Sequence, residues 1–181
     1  MSKDIRHILE GWHYEPGSVS ARWIEGDDGR PKIQLRLDLG LFQMEPTGRP
    51  DGTRPRGYES LLAYYHHRAT DRASGESLKL DAEACSALQQ EAMQYYYRYL
   101  AGYALHNLDG VIRDTQHNLD LIQFAGAHAA REDLAWQFQQ FLPYVRMMNA
   151  RARAERALEQ DQHAESIRIL KEALDEIRNF W

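Results

Sequence analysis

The chain has 181 residues, 43% of them apolar and 27% charged, and a formal net charge of −5, with an isoelectric point near 5.9. This is too apolar for a disordered chain and too charged for a membrane protein, and the acidity argues against broad nucleic-acid binding. The length suits one globular domain, or two small packed ones, burying roughly 70% of the unfolded surface.

Residues 2–10 read as a short helix with Ile5, Ile8 and Leu9 on one side, ended by Gly11. They contain no apolar run long enough for a signal peptide, and no later segment approaches the roughly 18 apolar residues of a membrane span. Cys85 is the single cysteine, so no internal disulfide framework forms, and the expected location is the cytoplasm. A β-hairpin follows. Val19, Ala21 and Trp23 alternate with Ser20 and Arg22, residues 26–29 (GDDG) turn the chain, and a return strand spans 32–45. In it Ile33, Leu35, Leu37, Leu39 and Leu41 share one face by period-two spacing. Two strands alone are marginal in water. That face must therefore cover the helices or a second copy of the chain, and an open sheet edge makes a homodimer a candidate.

Residues 45–56 (EPTGRPDGTRPR) form a Gly/Pro-rich loop carrying Arg49, Arg54 and Arg56 against Glu45 and Asp51. A helix is expected from Tyr58 to about Arg72 with Leu61, Leu62, Tyr65 and Ala69 inward, then a linker at 73–77. Four helices complete the chain. The first runs from an Asp81 cap to Asn107, with Leu88, Ala92, Tyr95, Tyr96, Tyr99, Tyr103 and Ala104 at helical spacing. The second runs from Asp109 to about Gly126. The third runs from Arg131 to Gln160 and is kinked or divided at Pro143. The last follows Asp161, a second cap candidate, and carries Ile167, Leu170, Ala173, Leu174 and Ile177.

Among these four helices the same hairpin occurs twice. Arg98, Ala101, Ala104 and Leu105 match Arg151, Ala154, Ala157 and Leu158, each 53 positions later. Ile112, Arg113, Leu119, Asp120 and Ile122 match Ile167, Arg168, Leu174, Asp175 and Ile177, each 55 later. The two-residue difference is assigned to the turn. A repeat of this kind implies helix pairs stacked on a shared seam.

Residues 158–175 (LEQDQHAESIRILKEALD) and 105–121 (LHNLDGVIRDTQHNLDL) resemble the tetratricopeptide repeat around its second helix. Ser166, Ile167, Leu170, Ala173 and Leu174, or Val111, Ile112, Asp114 and Leu119, sit at its small and apolar positions. This repeat is longer than that family's, which spans about 34 residues. The resemblance implies a protein-binding scaffold whose groove is lined by the first helix of each pair. Residues 32–45, 48–65, 88–99 and 133–152 are similar to a group of uncharacterised bacterial proteins that often end in the helical hairpin of the UvrB and UvrC excision-repair proteins. That hairpin does not occur in this sequence.

Three clusters are candidate sites. Arg49, Arg54 and Arg56 form a possible anion-binding loop, a guanidinium clamp for phosphate or carboxylate. The bland alternative is a loop whose arginines pair with nearby carboxylates. Tyr96, Tyr97, Arg98, Tyr99 and Tyr103 are candidates for partner binding, since tyrosines favour interfaces. Core packing is the alternative, with Tyr97 and Arg98 expected to be the exceptions. Arg146, Arg151, Arg153 and Arg156 form a basic run that resembles a nucleic-acid strip, against a solvated face interrupted by Glu155 and Glu159. The eight histidines make no metal-binding spacing. Cys85 sits at a helix start, which lowers thiol pKa in some proteins, although packing is the commoner role. No catalytic or cofactor motif occurs.

The expected fold is mainly α (α+β), with an N-terminal β-hairpin region (1–57) packed on a helical, tetratricopeptide-like domain of stacked antiparallel hairpins (58–181). The expected function is a non-enzymatic interaction or scaffold module without metal or cofactor, binding a protein or peptide in a helical groove or self-associating. The competing reading is a nucleic-acid-associated, DNA-repair-linked accessory protein that uses the arginine-rich loop and helix.

Overall fold

The computed structural model describes residues 4–71 and 77–180. It is mainly helical with a small N-terminal sheet: α1 (Arg6–Leu9), β1 (Ala21–Glu25), β2 (Pro31–Leu37), β3 (Gly40–Met44), α2 (Leu61–Thr70), α3 (Ala82–Ala104), α4 (Leu108–His128), α5 (Glu132–Gln139), α6 (Leu142–Leu158) and α7 (His163–Phe180). A single 3₁₀ turn, Pro55–Gly57, precedes α2. The linker expected at 73–77 lies almost wholly outside the described residues.

The sheet is antiparallel in the order β1-β2-β3, with Trp23 opposite Ile33 and Leu37 opposite Gly40. This corrects the single long return strand. The leucine run breaks after Leu37 into a tight turn, and Leu39 stands 96% exposed at its tip. The alternation continues in phase through Asp38 and Leu39, so periodicity alone conceals the turn. Ile33, Leu35 and Met44 are buried against Ala101 of α3, flanked by Tyr97 and Leu105. The apolar face therefore covers a helix of the same chain.

Asp81 caps α3 as expected, and α2 and α4 also open on side-chain caps. Ser60, Asp81 and Asn107 accept from the backbone N–H of Ala63, Ala84 and Gly110, satisfying donors that a helix start leaves unpaired. Pro143 divides the third expected helix. It falls in the first turn of α6, where a missing N–H costs nothing, and Gln140 and Phe141 form the joint. α3 packs on α4, α4 on α6, and α6 on α7, while α5 lies across α4 and α3. The main core joins Leu62, Leu88, Leu121, Phe124, Leu134 and Phe138.

The two hairpin turns are alike in detail. At the end of α3, His106 N–H donates to Tyr103 and Asn107 N–H to Gly102; at the end of α6, Asp161 N–H donates to Leu158 and Gln162 N–H to Ala157. His106 and Asp161 both have left-handed backbone, φ 55° and 58°. This pair of bonds is a Schellman cap. Every member recurs 55 positions later, so the turn contains no insertion, and the 53-residue pairing of the first helices is corrected. At an offset of 55, Tyr95, Tyr99 and Gly102 correspond to Ala150, Ala154 and Ala157, and all six are buried. Gly102 allows close approach to α4, since a Cβ there would lie 3.3 Å from Val111. Asp161 thus ends α6 and does not cap α7.

Candidate partner-binding groove

A groove of about 840 Å³ runs between α3 on one side and α5 with the start of α6 on the other. Helical spacing explains its first wall: Gln89, Met93, Tyr96 and Tyr97 recur at intervals of four, three and one along one face of α3. The second wall is Gln137, Phe138, Gln140, Phe141 and Tyr144, presented by the joint that Pro143 creates. Ala92, Tyr99, Asn118, Ile122 and Val145 complete its lining. Across the groove Gln89 Nε2 donates to Gln137 Oε1 at 2.9 Å, and the Tyr96 and Tyr144 rings, inclined at 53°, lie 6.3 Å apart. Tyr96 also meets Tyr97 and Tyr99 edge to face at 5.3 and 5.4 Å.

No lining residue is charged. Burial raises the pKa of Tyr99, with smaller contributions from Tyr144 and Tyr96, and burial likewise raises that of Tyr144. Both phenols therefore stay neutral through the physiological range. Phe141, Met93 and Tyr144 remain substantially exposed. A second hollow of about 480 Å³ shares Gln89, Met93 and Tyr97 and extends over α3 to Phe42, Met44 and Pro50. The Phe42 and Tyr97 rings, 4.7 Å apart, carry the surface from helix to sheet.

No family model, no curated protein and no solved structure matches the chain.

Of the tyrosine cluster, Tyr96 and Tyr97 line the groove and Tyr99 is a buried part of it. Tyr103 lies elsewhere. Its hydroxyl donates to Glu155 of α6 and its ring lies under the Arg151 guanidinium at 4.5 Å. Partial burial and the Glu155 carboxylate push its pKa up to about 12. Arg98, expected to face solvent, is 1% exposed. Its Nε and Nη2 donate to both Asp114 oxygens at 2.6 and 2.8 Å, and Nη1 donates to the Glu45 carbonyl at 2.9 Å. That is a correction: Arg98 fastens the 45–56 loop to α3 and α4 and is unavailable to a partner. Arg113 assists, bonding Asp114 at 3.0 Å and the Pro46 carbonyl at 2.9 Å.

The loop arginines do not converge on one point. Arg49 turns inward to Asp51 at 3.3 Å and Glu91 at 3.6 Å. Arg56 lies 5.0 Å over the Tyr64 ring, and Arg54 is exposed. Glu91 is fully buried and receives the Leu61 and Leu62 backbone N–H groups at 2.7 and 3.1 Å, anchoring the start of α2. Burial alone would raise its pKa, but the His117 ring and these two hydrogen bonds prevail and hold it below the ordinary glutamate value. His117 approaches Glu91 at 3.4 Å and stacks on Tyr95 at 3.6 Å.

In the basic run, Arg146 pairs with Glu176, Arg151 with Glu155, and Arg156 with Asp109 and Glu159. Burial raises the Cys85 pKa, opposite to the shift a helix start would give, and the thiol packs in the core. No helix among the described residues is long and apolar enough to cross a membrane, and no group of three His, Cys, Asp or Glu among them is placed to hold a metal ion.

Sequence reading missed Glu91, Asp114, Asn118, Phe141 and Tyr144. One signal was present: Leu88, Glu91, Tyr95, Arg98 and Gly102 recur at three- and four-residue intervals, which puts both charges on the buried stripe. For Phe141 and Tyr144 the signal was their position on either side of Pro143.

Proposed function

We propose that the protein is a non-enzymatic interaction module, tetratricopeptide-like and cytoplasmic, that receives an uncharged, apolar segment of a partner protein in the groove between α3 and the α5–α6 joint. One observation carries this reading. In a chain in which 27% of residues are charged, the lining of this groove carries no charge and is mostly aromatic and apolar. Interface cores are depleted in charge and enriched in Tyr, Phe and Met. A phosphate-bearing ligand would lose its hydration there without gaining a counter-charge. Of the arginines expected to serve nucleic acid, Arg49, Arg146, Arg151 and Arg156 are instead paired with carboxylates of the chain itself.

The reading is tested by selecting binders from a random peptide library on the immobilised protein and measuring their affinity against salt. The expected peptides are rich in aromatic and aliphatic residues, with affinity nearly flat between about 50 and 200 mM salt. Phosphate-led binding would lose orders of magnitude over that range. Selection of mainly acidic or phosphorylated peptides with steep salt dependence would overturn it.

A further inference from the structure

The hollow over α3 ends at β3, and the hydrogen bonds of the sheet decide which way that strand's backbone faces. Arg36 N–H donates to the Ser20 carbonyl and Gly26 N–H to the Arg30 carbonyl, each at 2.8 Å. Both pairs continue the β1–β2 register, so Lys32, Gln34 and Arg36 direct their N–H and C=O groups at β1. Successive residues of a strand face opposite edges. Ile33, Leu35 and Leu37 therefore face β3, and their partners Met44, Phe42 and Gly40 face β2. Leu41 and Gln43 are left facing away from the sheet. Glu45, the next outward residue, is already closed, its N–H bonded to the Pro50 carbonyl at 2.8 Å. The backbone N–H and C=O groups of Leu41 and Gln43 meet no hydrogen-bond partner among the described residues.

Resting on the groove reading, we infer that the partner segment binds in extended form, adding to β3 as a fourth strand where it leaves the groove. Three observations favour this edge. The five residues of β3, GLFQM, include no charge and no proline, the devices that commonly guard a sheet edge, whereas β1, the opposite edge, carries Arg22 and Glu25. Phe42 and Gln43 are exposed. The hollow beside them shares Gln89, Met93 and Tyr97 with the groove, so one peptide can follow both without a break. Asp51, the one charged residue among those lining the hollow, is held by Arg49 at 3.3 Å and Gln94 at 3.1 Å. A helical ligand satisfies its own backbone and leaves Leu41 and Gln43 to water. An extended one brings free donors and acceptors at the same two-residue interval. The segment residue beside Phe42 points its side chain into the hollow, and its two neighbours point to the opposite face. The recognised pattern is apolar at the middle position and tolerant on either side. Continuity with the groove favours the partner segment over β3 of a second copy.

The test uses a library-selected peptide and the isotope-labelled full chain. Peptide at about 100 times its dissociation constant should slow amide exchange at Leu41 and Gln43 by about a hundredfold, and leave Ala21 and Trp23, which face outward on β1, unchanged. Methylating the peptide's backbone nitrogens one at a time should lower its affinity at least about tenfold at alternate positions of the strand segment and little between them. Gln43→Pro deletes one outward N–H without taking a bond from the ladder, and should weaken the peptide about tenfold. Gln43→Val keeps that N–H, loses only the side-chain bond to Gln34, and should bind normally. The methylated peptides need no altered protein, so they serve even if Gln43→Pro does not fold. A selected peptide that binds while Leu41 and Gln43 stay in fast exchange, or that tolerates methylation at every position, overturns the inference and leaves the groove standing. So does a chain that light scattering finds dimeric, with both amides protected before peptide is added. Selected peptides insensitive to Phe141→Asp count against the groove itself, and the inference falls with it.

Discussion

Arg98 and Asp114 meet sixteen residues apart in sequence, each 1% exposed, in a fork-to-fork pair that also holds the Glu45 carbonyl. Isolated buried charges are costly, and this pair persists because nearly every polar atom has a partner. Glu91, two turns earlier on α3, does the same for α2. The two sites share a purpose, which is to pin the 45–56 loop and α2 to the α3–α4 pair without using apolar area. Their consequence is measurable. A glutamate with a lowered folded pKa stabilises above its unfolded value of about 4.3, and that stability disappears as pH falls through the folded pKa. Denaturation midpoints of the wild type and Glu91→Gln, measured from pH 7 to pH 3, should converge as the pH drops. At neutral pH the variant should be the weaker, because its amide N–H₂ faces a backbone N–H. A difference that stays constant across this range would remove Glu91 from the account. The sequence places Glu91 and Arg98 on a helical face among apolar residues. Nothing in it reveals that Asp114 and the Leu61 and Leu62 amides wait opposite, because those contacts are made only by tertiary packing.

The helices were the most legible elements, because a cap such as Asp81 is a local signal that the sequence specifies alone, although Asp161, read as a second cap, ends α6 instead. The break at Pro143 was legible for the same reason, whereas the turn at Asp38 and Leu39 was not. The likeness of the two hairpin turns was visible but misregistered. Alanines recur so often in α3 and α6 that identities align at 53, while the turn hydrogen bonds and the buried positions align at 55. With the register settled, the two hairpins differ chiefly in what covers them. Leu119 of α4 corresponds to Leu174 of α7, yet one is 5% exposed and the other 52%. α4 is packed by α3 and α6, α7 mainly by α6. Leu119→Ala should therefore cost about 2–5 kcal/mol by urea unfolding, and Leu174→Ala less than about 0.5 kcal/mol. Equal losses would mean that α7 is covered on both faces in solution.

For the whole molecule, the sheet, the divided third helix and the α3–α4 pair combine to leave one uncharged trough. Tyr96 and Tyr97 were legible as its members; Phe141 and Tyr144 were not, because they enter only once Pro143 turns the chain. The arginine-rich loop and the groove make opposite demands on a partner, one for anions and one for neutral apolar side chains, so a single comparison separates them. Phe141 is more than half exposed, and replacing it leaves the core untouched. The decisive measurement is the affinity of one library-selected peptide for the wild type, for Phe141→Asp, and for a variant carrying Arg54→Ala and Arg56→Ala. The groove account predicts at least about a tenfold loss in Phe141→Asp, equivalent to about 1.4 kcal/mol, and no change in the arginine variant. Binding that survives Phe141→Asp and fails without Arg54 and Arg56 would contradict it.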